Sequence, residues 1–251
     1  MAISPIALML PHKTSVWNAI TQLVMKEPAS ESKHFLDLAH NIYLPLFGKD
    51  SNSNRTSVSN SSGHEICTRM PSVTELQEAS IRFNADESED VSIFDITFKH
   101  GHLKIPIFKV TDDTERFLRN IVAYEQHSSS VELKYFTDYR SIMDSLINTE
   151  KDVNILRLRG IMENWLGDDE EVARMFNKLG DGVMINPPTF YYSQVCQKVK
   201  NHCRKPWNRA KAKLRRTYFH NPWASISTAA AGVLLLLTLI QTVVALISQF
   251  A

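Results

Sequence analysis

The last two dozen residues constrain this chain more than anything before them. From Ala229 onward it reads AAAGVLLLLTLIQTVVALISQFA, and after Arg216 there is no Lys, Arg, Asp or Glu. Between Ala229 and Ile247 the polar residues are Thr238, Gln241 and Thr242, all uncharged. A helix over 224–250 would be ~40 Å long at ~1.5 Å per residue, enough to cross a hydrocarbon core of ~30 Å with some tilt. Pro222 suits the first turn of such a helix, where its missing N–H needs no partner. Tyr218, Phe219 and Trp223 stand at the entry, where amphipathic rings favour the headgroup layer. The alternative is a helix buried in the core of a soluble body, its sides covered by neighbouring chain.

The charge balance divides at the same end. The formal net charge is +1, but no acidic residue follows Asp181, and nine Lys and Arg lie between Lys198 and Arg216. Residues 1–181 thus carry 19 basic against 27 acidic side chains, a charge of −8, and the remainder carries +9. Basic residues beside a span are retained on the cytoplasmic side, which predicts a single-pass membrane protein with its body in the cytoplasm and its anchor at the C-terminal tail. The basic segment 198–219 then faces anionic lipid headgroups, with Arg209, Lys211, Lys213, Arg215, Arg216 and Trp223 as the contacting residues. Trp207, Ala210, Leu214 and Tyr218 fall at helical spacing, so a one-sided basic helix on the membrane, or a target of a calmodulin-type partner, fits the pattern. A nucleic-acid partner is not expected, because the bilayer is the nearer anionic surface. The small residues Ser225, Thr228, Ala229 and Gly232 suggest a weak homodimer through the span.

Other signals bound the compartment. Cys67, Cys196 and Cys203 are odd in number and lack metal-ligand spacing, which points to reduced thiols; Cys196 and Cys203 also lie near enough to the membrane for acylation. The apolar start MAISPIALMLPHK is broken by Pro5 and Pro11 and has no basic residue before Lys13, so a cleaved secretory signal is not expected. The triplets at Asn54 and Asn60 are glycosylation acceptors and would be modified only if the body were lumenal.

The body, residues 1–197, reads as mainly helical with one small β-hairpin. Helical stretches are predicted at TSVWNAITQLVMKE and SKHFLDLAHNIYLPLF. The Ser/Asn-rich loop 49–65 is predicted to be disordered because it has little apolar surface to bury. Ser72 and Glu75 form a capping-box pattern. Residues 91–110 alternate about a His100-Gly101 turn, predicting a hairpin on which Pro106 argues for an edge strand. Asp112 and Glu115 are placed to cap the next helix, whose buried stripe is Phe117, Leu118, Ile121 and Val122. Two helices follow, divided near Asn148-Thr149 and closed by Gly160. GDDEEVARMFNKLG is another, its acids at the positive end of the helix dipole. A last helix runs from Phe190 toward the basic segment and is interrupted by Pro206.

Six of these stretches carry a resemblance. PSVTELQEASIRF, IFDITFKHGHLKIP, TDDTERFLRNIVAYEQ, MDSLINTEKDVNIL, GIMENWLGDDEEVARMFNKL and LRRTYFHNPWASIS, followed by the apolar tail, resemble the plant family called domain of unknown function 247, over roughly Phe35 to Ala251. The resemblance implies a plant membrane protein with a helical body and a C-terminal span, without established enzymatic activity. Some members are associated with self-incompatibility in grasses, a recognition role. Members are usually longer, and the N-terminal half of the family pattern is expected to be missing, as in a truncated copy or a partial gene model. Pro206 departs from the continuous helix typical there.

Motifs for chemistry are scarce. His100 and His102 flank a turn glycine without an evident third ligand. Asp168, Asp169, Glu170 and Glu171 lack the alternating ligands of a calcium loop, and capping accounts for them, as it does for Asp112 and Asp113. No phosphate-cradling loop, zinc-protease helix or nucleophile elbow is present. The expectation is a non-enzymatic interaction, recognition or signalling protein with no cofactor or metal and an unidentified protein partner. The alternative is a membrane-tethered enzyme whose site is scattered in sequence.

Overall fold

The computed structural model describes residues 36–37, 40, 66–88, 91–129, 131–180, 182–205 and 222–250. The N-terminal helical stretches fall largely outside these residues. The loop 49–65, both glycosylation triplets, Pro206 and the basic segment from 206 to 219 fall outside them entirely.

Among the continuously described residues of the body the first helix is α1, Val73–Glu78. Its start is set by the expected capping box: Glu75 N–H donates to Ser72 Oγ at 3.3 Å, and Ser72 N–H donates to Glu75 Oε2 at 3.2 Å. The helix buries Val73 and Leu76 and stops at Ser80, whose φ is +66°. β1, Arg82–Asp86, follows directly. β2, Thr97–Lys99, and β3, His102–Pro106, form the hairpin. Its two turn residues, His100 and Gly101, have φ of +51° and +82°, as a two-residue I′ turn requires.

The hairpin is narrower than its alternation suggests, and it is not alone. The three strands are ordered β1-β3-β2, with β1 parallel to β3. β3 is therefore central, which corrects the edge placement of Pro106: that residue ends the strand opposite Asp86, where the lost N–H interrupts little of the ladder. Residues 91–96 make no strand. Ser92 and Asp95 close a turn instead, Ser92 N–H donating to Asp95 Oδ2 and Asp95 N–H to Ser92 O, and this turn drives Ile93, Phe94 and Ile96 into the core. After Ile107 the chain leaves the first sheet, and β4, Phe108–Val110, pairs in parallel with β5, Met162–Asn164.

Among the described residues five more helices belong to the body: α2 (Thr114–His127), α3 (Tyr135–Leu146), α4 (Glu150–Leu158), α5 (Asp169–Leu179) and α6 (Ser193–Arg204). A short 3-10 turn, Pro187–Thr189, precedes α6. α2 buries Phe117, Leu118, Ile121 and Val122 as expected. Its N-cap residue is Asp113 and lacks a side-chain cap, a correction to Asp112. The Thr114 hydroxyl takes the Thr111 N–H at 2.9 Å, and the nearby acids pair with the helix's own arginines, Asp113 with Arg116 and Glu115 with Arg119. α3 is buried on nearly every side, which makes it the axis of the body. Phe94, fully buried, meets Phe136 and Tyr139 edge-on at 4.9 and 5.4 Å, and Tyr192 OH donates to Phe94 O at 3.0 Å. Thus the Ser92–Asp95 turn and the start of α6 are both locked onto the central helix. Gly160, with φ of +68°, closes the turn after α4 as expected.

Candidate membrane span and the polar centre of the body

The last helix, α7, covers Pro222–Phe250, 29 residues. Among the described residues it is the one helix long and apolar enough to cross a membrane, over Ala230–Ser248, and none of that stretch is buried against the protein. Eleven large aliphatic side chains between Val233 and Ile247 lie open. Holding that many in water forfeits on the order of 20 kcal/mol at ~1.5–3 kcal/mol for each fully buried side chain. Transfer of that stretch into hydrocarbon would recover a gain of this order, independently of the stability of the body. The hydroxyls that would be costly in hydrocarbon are satisfied within the helix: Thr238 Oγ1 donates to Leu234 O at 2.8 Å, Thr242 Oγ1 to Leu239 O at 2.8 Å and Ser248 Oγ to Ala245 O at 2.9 Å. Trp223 stands in the first turn of α7. Arg209, Lys211, Lys213, Arg215 and Arg216 lie outside the described residues.

Charge inside the body sits where it holds backbone. Glu125 on α2 is fully buried and caps α3: Oε1 accepts the Phe136 N–H at 3.0 Å, and Oε2 accepts the Thr137 N–H at 2.7 Å and the Thr137 hydroxyl at 2.8 Å. His40 Nε2 lies 3.1 Å from Oε1 and so meets the same carboxylate. Asp152 bridges two helices, Oδ1 accepting the Thr74 N–H and hydroxyl of α1 and Oδ2 accepting from Asn148 and Thr149 ahead of its own helix. Arg140 Nη1 donates to Leu179 O, the last carbonyl of α5, at 2.9 Å. Asp138 accepts the Tyr191 N–H at 2.8 Å. Burial pushes its carboxyl up to about 7; the Tyr191 N–H pulls the other way, and the Glu125 carboxylate adds to the rise. These positions escaped sequence reading, although Glu125 continues the Leu118, Ile121, Val122 stripe and so had to be buried.

The residues weighed for chemistry do not converge. His102 Nδ1 pairs with Asn84 Oδ1 at 2.8 Å, while His100 turns outward at the hairpin tip. Among the described residues no three His, Cys, Asp or Glu side chains gather to hold a metal ion. Asp168 caps α5 through the Glu170 N–H at 2.9 Å, Asp169 accepts from Asn164 Nδ2 at 2.9 Å, and Glu170 pairs with Arg174. Burial raises the thiols of Cys196 and Cys203, which disfavours the thiolate a nucleophile would need. A cleft of about 350 Å³ opens between α2 and the Gly182–Met184 segment, with Gln126, His127 and Arg140 on its walls. A second, of about 190 Å³, lies between α2 and α5 and is walled by Asp112, Glu115, Glu171, Arg174 and Lys178. Among the described residues of the body, Leu158, Trp165 and Met184 are the exposed large apolar side chains.

A family model described as DUF247, a plant protein of unknown function, matches residues 4–237. The chain belongs to the DUF247 family. The match begins well before Phe35, so the family pattern includes the N-terminal stretches as well. Two Arabidopsis thaliana proteins are similar. The UPF0481 protein At3g47200 is 30% identical over 232 residues, covering 87% of this chain and 48% of the relative. The putative UPF0481 protein At3g02645 is 29% identical over 181 residues, covering 72% of this chain and 34% of the relative. The chain thus spans about half the length of the first DUF247 relative and about a third of the second. No solved structure matches it.

Proposed function

We propose that this chain is a single-pass membrane protein in which α7 crosses the bilayer and holds a helical body at the cytoplasmic surface, where the body works by binding another protein. The observation that carries the reading is the open Ala230–Ser248 stretch, predominantly apolar, free of charged residues and not buried against the described residues of the body. The orientation rests on the nine Lys and Arg between Lys198 and Arg216, which favour the cytoplasmic side and contact with anionic headgroups. Binding rather than catalysis is favoured by the use of the buried carboxylates Glu125 and Asp152, which are spent on capping helix starts. A recognition or signalling role suits a body presented at a membrane in this way.

The test is membrane fractionation of the tagged full chain together with glycosylation mapping. The reading expects the chain to resist alkaline extraction, Asn54 and Asn60 to stay unmodified, and an acceptor tag appended after Ala251 to be glycosylated. Release by alkali refutes the span, and sugar on Asn54 or Asn60 reverses the orientation.

A further inference from the structure

The polar side chains of the span are not scattered around it. Turning the helix by ~100° per residue places Thr238, Gln241, Thr242 and Ser248 within an arc of about 120°, together with Ala231 and Ala245. Ten of the eleven large aliphatic side chains fall outside that arc, Leu234 being the exception. Along it, Ala231, Leu234, Thr238, Gln241, Ala245 and Ser248 follow one another at alternating steps of three and four, the spacing of a left-handed helix seam. The small residues Ser225, Thr228, Ala229 and Gly232 mark the opposite side, so they do not belong to this face.

Gln241 decides what the face is for. The hydroxyls around it are bonded to their own helix, but its amide makes no hydrogen bond among the described residues. It sits two residues from the midpoint of Ala230–Ser248, ~3 Å from the centre of the membrane and ~12 Å from the nearer edge of a ~30 Å core. The side chain is too short to reach the headgroups, and an amide in hydrocarbon without a partner is costly. A carboxamide both donates and accepts, so it complements a copy of itself. Two spans of this chain enter the membrane in the same direction, and a twofold axis along the membrane normal brings Gln241 to Gln241 at equal depth.

We propose that α7 self-associates in parallel with a second copy of this chain, through a seam centred on a reciprocal amide pair between the two Gln241 side chains. This rests on the membrane reading above. The seam has small residues, Ala231 and Ala245, on either side of the pair, which lets the helices approach closely enough for the amides to meet.

The experiment is energy transfer between two differently labelled copies of the full chain in liposomes of phosphatidylcholine and phosphatidylserine, titrated against lipid. The parent is expected to associate. Gln241→Leu is expected to weaken association about 5–30-fold, as interhelical polar bonds in spans do, while still resisting alkaline extraction. Gln241→Asn should retain most of the association, and Leu236→Ala, on the opposite side, should leave it unchanged. Equal association of Gln241→Leu and the parent overturns the proposal, as does loss of association in Leu236→Ala alone. An inserted parent that stays monomeric at every lipid ratio overturns it while leaving the membrane reading intact; a parent released by alkali ends both.

Discussion

Replacing Asp152 by Ala removes one side chain and unties two helices. The carboxylate is buried and accepts five hydrogen bonds: from Thr74 N–H at 2.8 Å and Thr74 hydroxyl at 2.6 Å on one oxygen, and from Asn148 N–H at 3.2 Å, Thr149 N–H at 2.9 Å and Thr149 hydroxyl at 3.0 Å on the other. The two oxygens do not count equally. Asn148 and Thr149 are exposed, so water can replace the acid there, whereas Thr74 is half-buried against it. The loss is then dominated by the Thr74 pair, at ~1.5–3 kcal/mol for a hydrogen bond to a charged group, with little additivity between two bonds to one oxygen. About 3 kcal/mol is expected in all. For a body of this size that lowers the melting temperature by about 6–12 °C, read by circular dichroism on the full chain in detergent. Thr74→Val supplies the control: alone it should cost about 1 kcal/mol, and in the Asp152→Ala background much less, because its partner is already gone. A fall under about 2 °C, or full additivity of the two substitutions, would falsify the view of Asp152 as the clamp between α1 and α4.

Three further outcomes follow from the body. Asp138 holds its proton to about pH 7 when folded but loses it near 3.8, the ordinary value for an aspartate, when unfolded, so its burial costs stability as pH rises between those values and the cost is constant above them. Asp138→Asn keeps an acceptor for the Tyr191 N–H, and should stabilise the protein at pH 8 by up to about 4 kcal/mol while changing little at pH 4; an equal effect at both pH values refutes the assignment. Gly101 has φ of +82°, and an added Cβ would stand 3.2 Å from His202 Cε1, so Gly101→Ala should cost about 1–2 kcal/mol in denaturant unfolding. Native-state maleimide labelling should modify the half-buried Cys203 before Cys67 and Cys196, which react only on unfolding; early labelling of Cys196 contradicts its packing.

What was legible in the sequence is what local physics decides. The capping box at Ser72, the apolar stripe of α2, the break at Asn148-Thr149 and the positive-φ glycines at 101 and 160 each need only neighbours in sequence, and each is where the pattern put it. The parallel strands were not legible. Phe108 pairs with Met162 across more than fifty residues, in strands of three residues that carry no turn signal and too few positions to show a period. The Ser92–Asp95 turn was misread for a related reason: its alternating apolar residues imitate a strand, and only the side-chain bonds of Ser92 and Asp95 distinguish the two. The span was the most legible feature, because length and composition alone decide whether a helix suits hydrocarbon. Its polar face required the turn geometry of the helix before Gln241 and Ser248 could be seen to share a side.

Body and span draw on separate sources of stability, and that separation can be tested. The continuous apolar core runs from Cys67 to Val199 and includes no residue of α7. Its buried charges are matched within the body as well, Glu125 with the start of α3 and Arg140 with the end of α5. Among the described residues, removing α7 therefore takes no side chain from the core but removes the eleven open aliphatic side chains, the largest apolar exposure described. A chain ending at His220 should stay in the supernatant without detergent and melt within about 2 °C of the full chain in detergent, since no buried group changes its surroundings. If instead the shortened chain aggregates, or melts lower by more than about 5 °C, then α7 covers part of the body in the native protein, and the energetic case for placing it in lipid loses its premise.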